Sequence, residues 1–231
     1  MKRTSYVLLS LQALLCINQL SADFSDDTID TQKFLDIWYH HPDDYNKRGI
    51  RYYDFIFNGA YFEGNRHWED RWQLINKATS FSGKRILDLG SHIGLCSLFI
   101  SKYLPIESLV SVEKLEKCIS KHKRLQDLFN VNYNIIELDL NTENYEKILG
   151  YDYDIVICMS FLKWVTDKNR LLWYLSNFSQ VIFEGHDHES IEIERFRKVG
   201  FKYHKLLGKT KETKKSAVAT RPVLLFSKEK I

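Results

Sequence analysis

The chain has 231 residues, 33 Lys+Arg against 30 Asp+Glu for a formal charge of +3, and 44% hydrophobic, 14% aromatic and 27% charged residues. That length and apolar share fit one domain of ordinary size with a small extension and exclude intrinsic disorder, while 3 Pro and 10 Gly exclude collagen-like and low-complexity chains. So small a charge surplus does not by itself argue for nucleic acid, and the four cysteines (Cys16, Cys96, Cys118, Cys158) form no CxxC pair, so neither a zinc knuckle nor a disulfide framework is indicated.

Lys2 and Arg3 give a positive start, followed by an apolar run over residues 6–20 broken only by Ser, Gln and Asn. Small Ser21 and Ala22 then precede acidic Asp23, the pattern of a secretory signal cleaved near Ala22. The run is too short to span a bilayer comfortably, so no stable membrane span is expected after processing. The other reading is an amphipathic or buried helix packed on the domain. Cleavage implies export; without it the chain is cytoplasmic or membrane-associated. Removing the segment leaves three cysteines, an odd set that gives an oxidising compartment little support. The chain thus divides into a signal or short hydrophobic segment (1–22), a helical and aromatic extension (23–80) and a main domain (81–231).

Residues 27–39 fit a helix with Ile29, Phe34, Leu35, Ile37 and Trp38 apolar, broken by His40-His41-Pro42-Asp43-Asp44. Residues 52–62 are very aromatic and ambiguous in secondary structure. Residues 66–79 fit a helix with Trp68, Trp72 and Ile75 on one face. A regular rhythm follows: strand 85–89 ended by Gly90, helix 94–103, strand 109–113, helix 115–129, strand 133–138, strand 154–158, helix 169–178, strand 181–184, helix 190–199, and two closing strands at 201–207 and 222–227. This alternation predicts an α/β, Rossmann-like, seven-stranded and mostly parallel sheet with helices on both faces. Pro222 opens its strand, which suits an edge, where a missing N–H is tolerated.

In open α/β sheets ligands bind outside the carboxyl ends of the strands. The first strand ends Leu87-Asp88-Leu89-Gly90-Ser91-His92-Ile93-Gly94. Gly90 permits a tight turn and close approach to a ligand, and Gly94 opens a helix whose amides favour an anionic group. The spacing is not the dinucleotide GxGxxG, which weighs against a dehydrogenase. It is a shorter Asp-x-Gly-x-x-x-Gly form with His92 where a small residue is usual. The second strand ends in Glu113, where a carboxylate can accept both hydroxyls of a ribose. The third leads into Asp139, which can accept a hydrogen bond from an exocyclic adenine amine. In this order the pieces point to an adenosine-type ligand.

The run Ile86 to Gly94, then Val112-Glu113, Asp139 and Asp154-Ile155-Val156-Ile157-Cys158-Met159-Ser160, resembles the motifs of class I S-adenosylmethionine-dependent methyltransferases. The resemblance covers roughly residues 61–226. Within that class the chain is similar to the Bin3/MePCE-type RNA 5′-end phosphate methyltransferases, through Tyr61-Phe62-Glu63-Gly64-Asn65-Arg66 with Arg71, and through Cys158-Met159-Ser160-Phe161-Leu162-Lys163-Trp164-Val165. A Gly-x-Arg-x-Trp segment also resembles bacterial small-molecule methyltransferases. The resemblance implies S-adenosyl-L-methionine as cofactor and a small molecule or an RNA end as acceptor. It implies that Asp88, Gly90 and Gly94 shape the loop around the methionine part, that Glu113 holds the ribose, and that Asp139 and Leu140 frame the adenine. It further implies that Tyr61 and Arg71 cover the cofactor and bind its carboxylate, while Met159 and Ser160 line the floor near the methyl group. His92 departs from the pattern. If its ring crowds the cofactor, the chain becomes a degenerate methyltransferase fold serving as a binding module.

A phosphate acceptor needs no general base at neutral pH, whereas a phenol or amine calls for one. Lys163, Glu184, His186 and His188 follow the fourth and fifth strands and are the candidates, with Lys163 and His186 foremost. The stretch Glu184-Gly185-His186-Asp187-His188-Glu189 fits no standard metal spacing, and an exposed polar loop explains it as well. The run Lys202, Lys205, Lys209, Lys211, Lys214, Lys215 could meet RNA phosphates or be a solvated face. The aromatics Tyr52, Tyr53, Phe55, Phe57, Tyr61 and Phe62 suit either a stacking lid or, more usually, a core. Cys96, Cys118 and Cys158 fall on core faces, as inert thiols do.

Overall fold

A computed structural model describes residues 26–39, 53–142, 145, 148, 152–211 and 220–231. The N-terminal signal, the 40–44 break, Tyr52, Lys214 and Lys215 lie outside the described residues. Helix α1 (Thr31–Tyr39) starts later than its apolar pattern predicts. Asp26 accepts from Thr28 N at 2.9 Å and closes a local turn, and Asp30 accepts from Lys33 N at 3.0 Å and so caps the helix.

The ambiguous aromatic stretch is a hairpin, β1 (Tyr53–Phe57) and β2 (Ala60–Phe62), paired antiparallel. Its two turn residues, Asn58 (φ 47) and Gly59 (φ 72), both sit in the left-handed region that a two-residue hairpin loop requires. Short β3 (Arg66–His67) adds in parallel to β1, taking two residues expected to be helical. Helix α2 (Trp68–Asn76) follows. The aromatics of this small sheet are mostly core. Phe55 and Phe62 stack at 4.7 Å, and Phe34 of α1 meets Phe62 at 4.5 Å. Tyr61 is the exception at 46% exposure.

The main sheet comprises β4 (Arg85–Leu89), β5 (Ser108–Glu113), β6 (Asn134–Glu137), β7 (Ile155–Met159), β8 (Gln180–Glu184), β9 (Tyr203–Lys211) and β10 (Thr220–Ser227). Its order is β6-β5-β4-β7-β8-β10-β9, parallel except for β10, which runs antiparallel to both neighbours. The helices between are α3 (Leu95–Tyr103), α4 (Glu116–Phe129), α5 (Lys168–Leu175) and α6 (Glu189–Lys198). The predicted seven-stranded Rossmann-like architecture is therefore present. Successive side chains divide between two cores, as a sheet covered on both faces demands. Ile86, Leu109, Ile155, Ile157 and Ile182 face α1–α4 and the hairpin. Leu87, Leu89, Val110, Val112, Val156, Cys158, Val181 and Phe183 face α5 and α6. The extension thus shares a core with the main domain, through Phe34, Trp38, Phe55, Trp68 and Phe99.

Pro222 does not mark an edge. Its strand lies between β8 and β9, and β9 is the edge. The Pro222 carbonyl accepts from Gly185 N at 3.0 Å, so its ring nitrogen faces the same side, one position beyond the last β8 pair, Val223↔Glu184. The reciprocal bond to the Gly185 carbonyl is forgone there, at the end of the β8 ladder, while no donor towards β9 is lost.

Candidate active site

The turn after β4 is built from three left-handed residues, Gly90 (φ 70), His92 (φ 55) and Gly94 (φ 77). Gly90 N and Ser91 N both donate to the Val112 carbonyl, at 2.9 and 3.0 Å, fastening the turn to β5. A side chain on Gly90 would run into the Phe161 ring, and one on Gly94 into the His122 ring. Both glycines are therefore required by packing as well as by backbone angle. The Ser91 hydroxyl is enclosed in the turn and has no hydrogen-bond partner.

Glu113 ends β5 and is nearly buried. Its Oε1 accepts from Lys114 N (2.9 Å) and Leu115 N (3.0 Å), and its Oε2 accepts from His92 N at 2.8 Å. A carboxylate offers about four acceptor positions. Two on Oε1 and one on Oε2 are occupied, so one remains, rather than the two that a ribose diol held bidentately would use. Asp139, after β6, accepts from Asn141 N at 2.9 Å and pairs with Lys114 at 3.6 Å. Leu140 is buried in the core beneath it and supports that corner from behind.

His92 turns its ring inward. The groups that act electrostatically on it and through it are Lys121 and His122 of α4. His122 in turn shares a 2.6 Å hydrogen bond with Tyr133. Burial, then Lys121, pulls His92 down to about 4, and burial, then His92, pulls His122 down to about 3. Asp88, on the preceding strand, is pushed up to about 6 by burial, against the pull of its 2.6 Å hydrogen bond from Ser97.

These shifts oppose one another. Two histidines depressed below their ordinary 6.5 contribute stability that is complete above that pH and fades as it falls towards 4 and 3. The raised carboxyl contributes stability that is complete below 3.8 and lost as pH climbs through about 6. The histidine effect is larger, so stability should fall by roughly 3 kcal/mol from pH 7 to 4.5. Asp88→Asn should steepen that loss by removing the offset, read as urea midpoints at the two pH values. An Asp88→Asn profile parallel to wild type would mean that the carboxyl supplies no such offset.

At the ends of β7 and β8 lies a buried polar cluster. Glu184 is fully buried; Arg66 Nη2 donates to its Oε1 at 2.9 Å, and Arg71 donates to its Oε2. Thr210 and Ser160 hydroxyls also donate to it. Arg221 Nη1 reaches Ser160 Oγ at 2.7 Å, and Arg66 Nη1 and Arg71 Nη2 reach the same oxygen at 3.2 Å. Ser160 is held at φ 57, a costly angle for a residue other than glycine, with its N–H on the Glu184 carbonyl at 3.0 Å. Burial alone would raise Glu184, but Arg71 and Arg66 beside it keep it below the usual carboxylate range.

The structure brings Asp88, Gly90, His92, Gly94 and Glu113 together around one turn. It brings Arg71 to Ser160, with half-buried Met159 preceding Ser160. It does not bring Tyr61 to Arg71. Tyr61 donates to Asp54 at 3.0 Å, and the tyrosine on Arg71 is Tyr53, whose hydroxyl accepts from Nη1. Tyr53, Thr210 and Arg221 are not among the site residues that the sequence predicts, and Arg66 stands there only within a motif. Glu184, a candidate base, is instead the anion of this cluster. Lys163 is exposed beside Trp164. The loop 185–188 serves α6: Glu192 accepts from His186 N (3.2 Å) and Asp187 N (3.1 Å), Asp187 pairs with Arg195 (2.6 Å), and His188 caps the helix through Ser190 N. Cys96, Cys118 and Cys158 are free and buried, and burial raises all three thiols.

No protein-family model matches the chain, and no curated protein matches it. Solved structures do. The N-terminal domain of EvdMO1 with SAH bound aligns with a TM-score of 0.60 at 14% identity, over 87% of this chain and 99% of that one. Precorrin-6y C5,15-methyltransferase from Geobacter metallireducens GS-15 gives 0.56 at 11% identity, over 71% of this chain and 89% of that one. The fold is that of the methyltransferases. A longer EvdMO1 structure gives 0.56 at 19% identity over 74% of this chain; the chain spans 44% of its length.

Proposed function

We propose that this chain is an S-adenosylmethionine-dependent methyltransferase. The observation that carries the reading is Glu113, which ends the second strand of a methyltransferase fold with one acceptor position left, Oε2 holding His92 N of the turn after the first strand and Oε1 holding Lys114 N and Leu115 N at the entrance to α4. The enclosed, unpartnered Ser91 hydroxyl supports the fit, because an orphaned buried hydroxyl is costly unless a ligand engages it. Glu113 would hold a ribose hydroxyl and Asp139 the adenine amine. Arg71 would bind the carboxylate of the donor. The enclosed Nδ1 of His92 supports a site that its ring does not crowd.

When bound, the donor supplies a methyl group already activated on a sulfonium. The chain's task is to align the acceptor, which is catalysis by proximity and orientation. Glu184, held as a carboxylate between two guanidinium groups, is a poor base. That favours an acceptor already ionised at neutral pH, the RNA 5′-phosphate or an anionic small molecule, over a neutral phenol or amine.

Calorimetric titration of S-adenosylmethionine and of its demethylated product into the folded full chain tests the reading. Binding to one site at about micromolar affinity is expected. Silence up to millimolar ligand would overturn it.

A further inference from the structure

Trp164 is the most exposed large apolar side chain among the described residues, at 69%. Its backbone is nevertheless fixed. Its N–H donates to the Phe161 carbonyl at 2.9 Å, and its carbonyl accepts from Asn141 Nδ2 at 3.3 Å. Asn141 Oδ1 accepts from Thr166 N at 2.7 Å, so one side chain clamps the turn Leu162–Trp164 to the segment after β6. An indole left in water on an ordered turn forgoes the stabilisation that burial would bring. The turn stands at the carboxyl ends of the sheet, between Asp139 and Asn141 on one side and Ser160 on the other. Ligands of α/β sheets enter at those ends.

Among the described residues the charges around the indole are mainly positive. Lys163 Nζ lies 5.7 Å from its ring centroid, within cation–π reach. Exposed Lys168 begins α5, and Arg170 stacks on Tyr145 at 4.4 Å. Among the described residues the nearby carboxylates are engaged: Asp167 accepts from Arg170 N at 2.9 Å, and Asp139 pairs with Lys114 at 3.6 Å.

We propose that Trp164, with Lys163 beside it, is the platform on which a planar aromatic ring of an anionic acceptor stacks. The ring is a nucleobase beside its phosphate or an aromatic acid; the chemistry recognised is shared. This deepens the methyltransferase reading, on which the word acceptor rests, but the stacking itself does not require a methyl donor.

The test follows tryptophan emission of the full chain during titration with guanosine 5′-monophosphate, 4-hydroxybenzoate and glucose 6-phosphate, each with and without S-adenosylhomocysteine. Trp38, Trp68 and Trp72 are buried, so Trp164→Phe identifies the responding indole against Trp173, which is also exposed. The two aromatic anions should quench and saturate, and glucose 6-phosphate should not. Read by calorimetry, which does not need the indole as reporter, Trp164→Ala should weaken the aromatic anions about tenfold, as loss of one base–aromatic stack does. Trp164→Phe should retain most of the affinity, and Lys163→Ala should flatten its salt dependence. The arm that binds more tightly separates nucleotide from aromatic acid. Equal binding of glucose 6-phosphate, no saturable aromatic binding, or affinity unchanged in Trp164→Ala would each overturn the platform. If S-adenosylhomocysteine binds while Trp164 is indifferent, the platform fails and the methyltransferase reading stands. If stacking depends on Trp164 but S-adenosylhomocysteine does not bind, the platform stands and the methyltransferase reading fails.

Discussion

Glu184→Gln should lower stability by about 3–5 kcal/mol, more than an ordinary core substitution. Glutamine keeps the shape of glutamate but puts an NH2 in place of one acceptor oxygen, and its partners Arg66, Arg71, Ser160 and Thr210 are all donors. It also removes the charge facing two buried guanidinium groups, those of Arg66 and Arg71. A buried ion pair broken from one side leaves a charge that water cannot reach. Both arginines are fully enclosed, so neither can swing to solvent without dragging β3 or α2 out of place. For a chain of this length the loss corresponds to a fall in Tm of about 10 °C. The triple variant Glu184→Leu with Arg66→Met and Arg71→Met should recover part of it, since apolar side chains of similar volume often replace a buried ionic triad at little cost. Urea unfolding of the three proteins decides the matter. A Glu184→Gln loss under about 1 kcal/mol would mean that the cluster's charge is met from elsewhere.

Glu113→Ala should weaken donor binding about ten- to a hundredfold, the value of one charge-assisted hydrogen bond. The single remaining acceptor position on Oε2 sets that figure; two free positions would have made it the square. The same substitution releases three backbone amides, His92, Lys114 and Leu115, the last two at the entrance to α4. A stability loss of about 1–3 kcal/mol should therefore accompany it. Calorimetry at a temperature where the variant is folded separates the two effects. Unchanged affinity alongside lowered stability would make Glu113 a clamp for the turn and nothing more.

How much of the fold and site is legible in the sequence follows from the range of each interaction. Strand β4 is placed at 85–89 by its own residues, because a short apolar run closed by glycine needs no partner to declare itself. The loop Gly90–Gly94 and the strand-ending Glu113 are local signals too. The hairpin at 53–62 was missed although Asn58-Gly59 is a strong hairpin signature; the density of aromatics around it hid the alternation. The buried cluster is not readable in this way. Arg66 meets Ser160, Glu184 and Thr210 across 94, 118 and 144 residues, and no spacing in the chain encodes those meetings. Edge placement of Pro222 failed for a related reason, since strand order is decided by the whole sheet.

The bond from Arg66 Nε to the Lys211 carbonyl, at 3.2 Å, ties chain segments 145 residues apart. Contacts of that separation form late, after the entropy of closing the loop between them has been met. The parallel core from β4 to β8 can assemble while β9 and β10 are still unplaced, but the arginine cluster then lacks Thr210 and Arg221. Refolding should accordingly recover secondary structure before it recovers ligand binding. A chain interrupted before β9 would hold a methyltransferase-like sheet around an unfinished pocket.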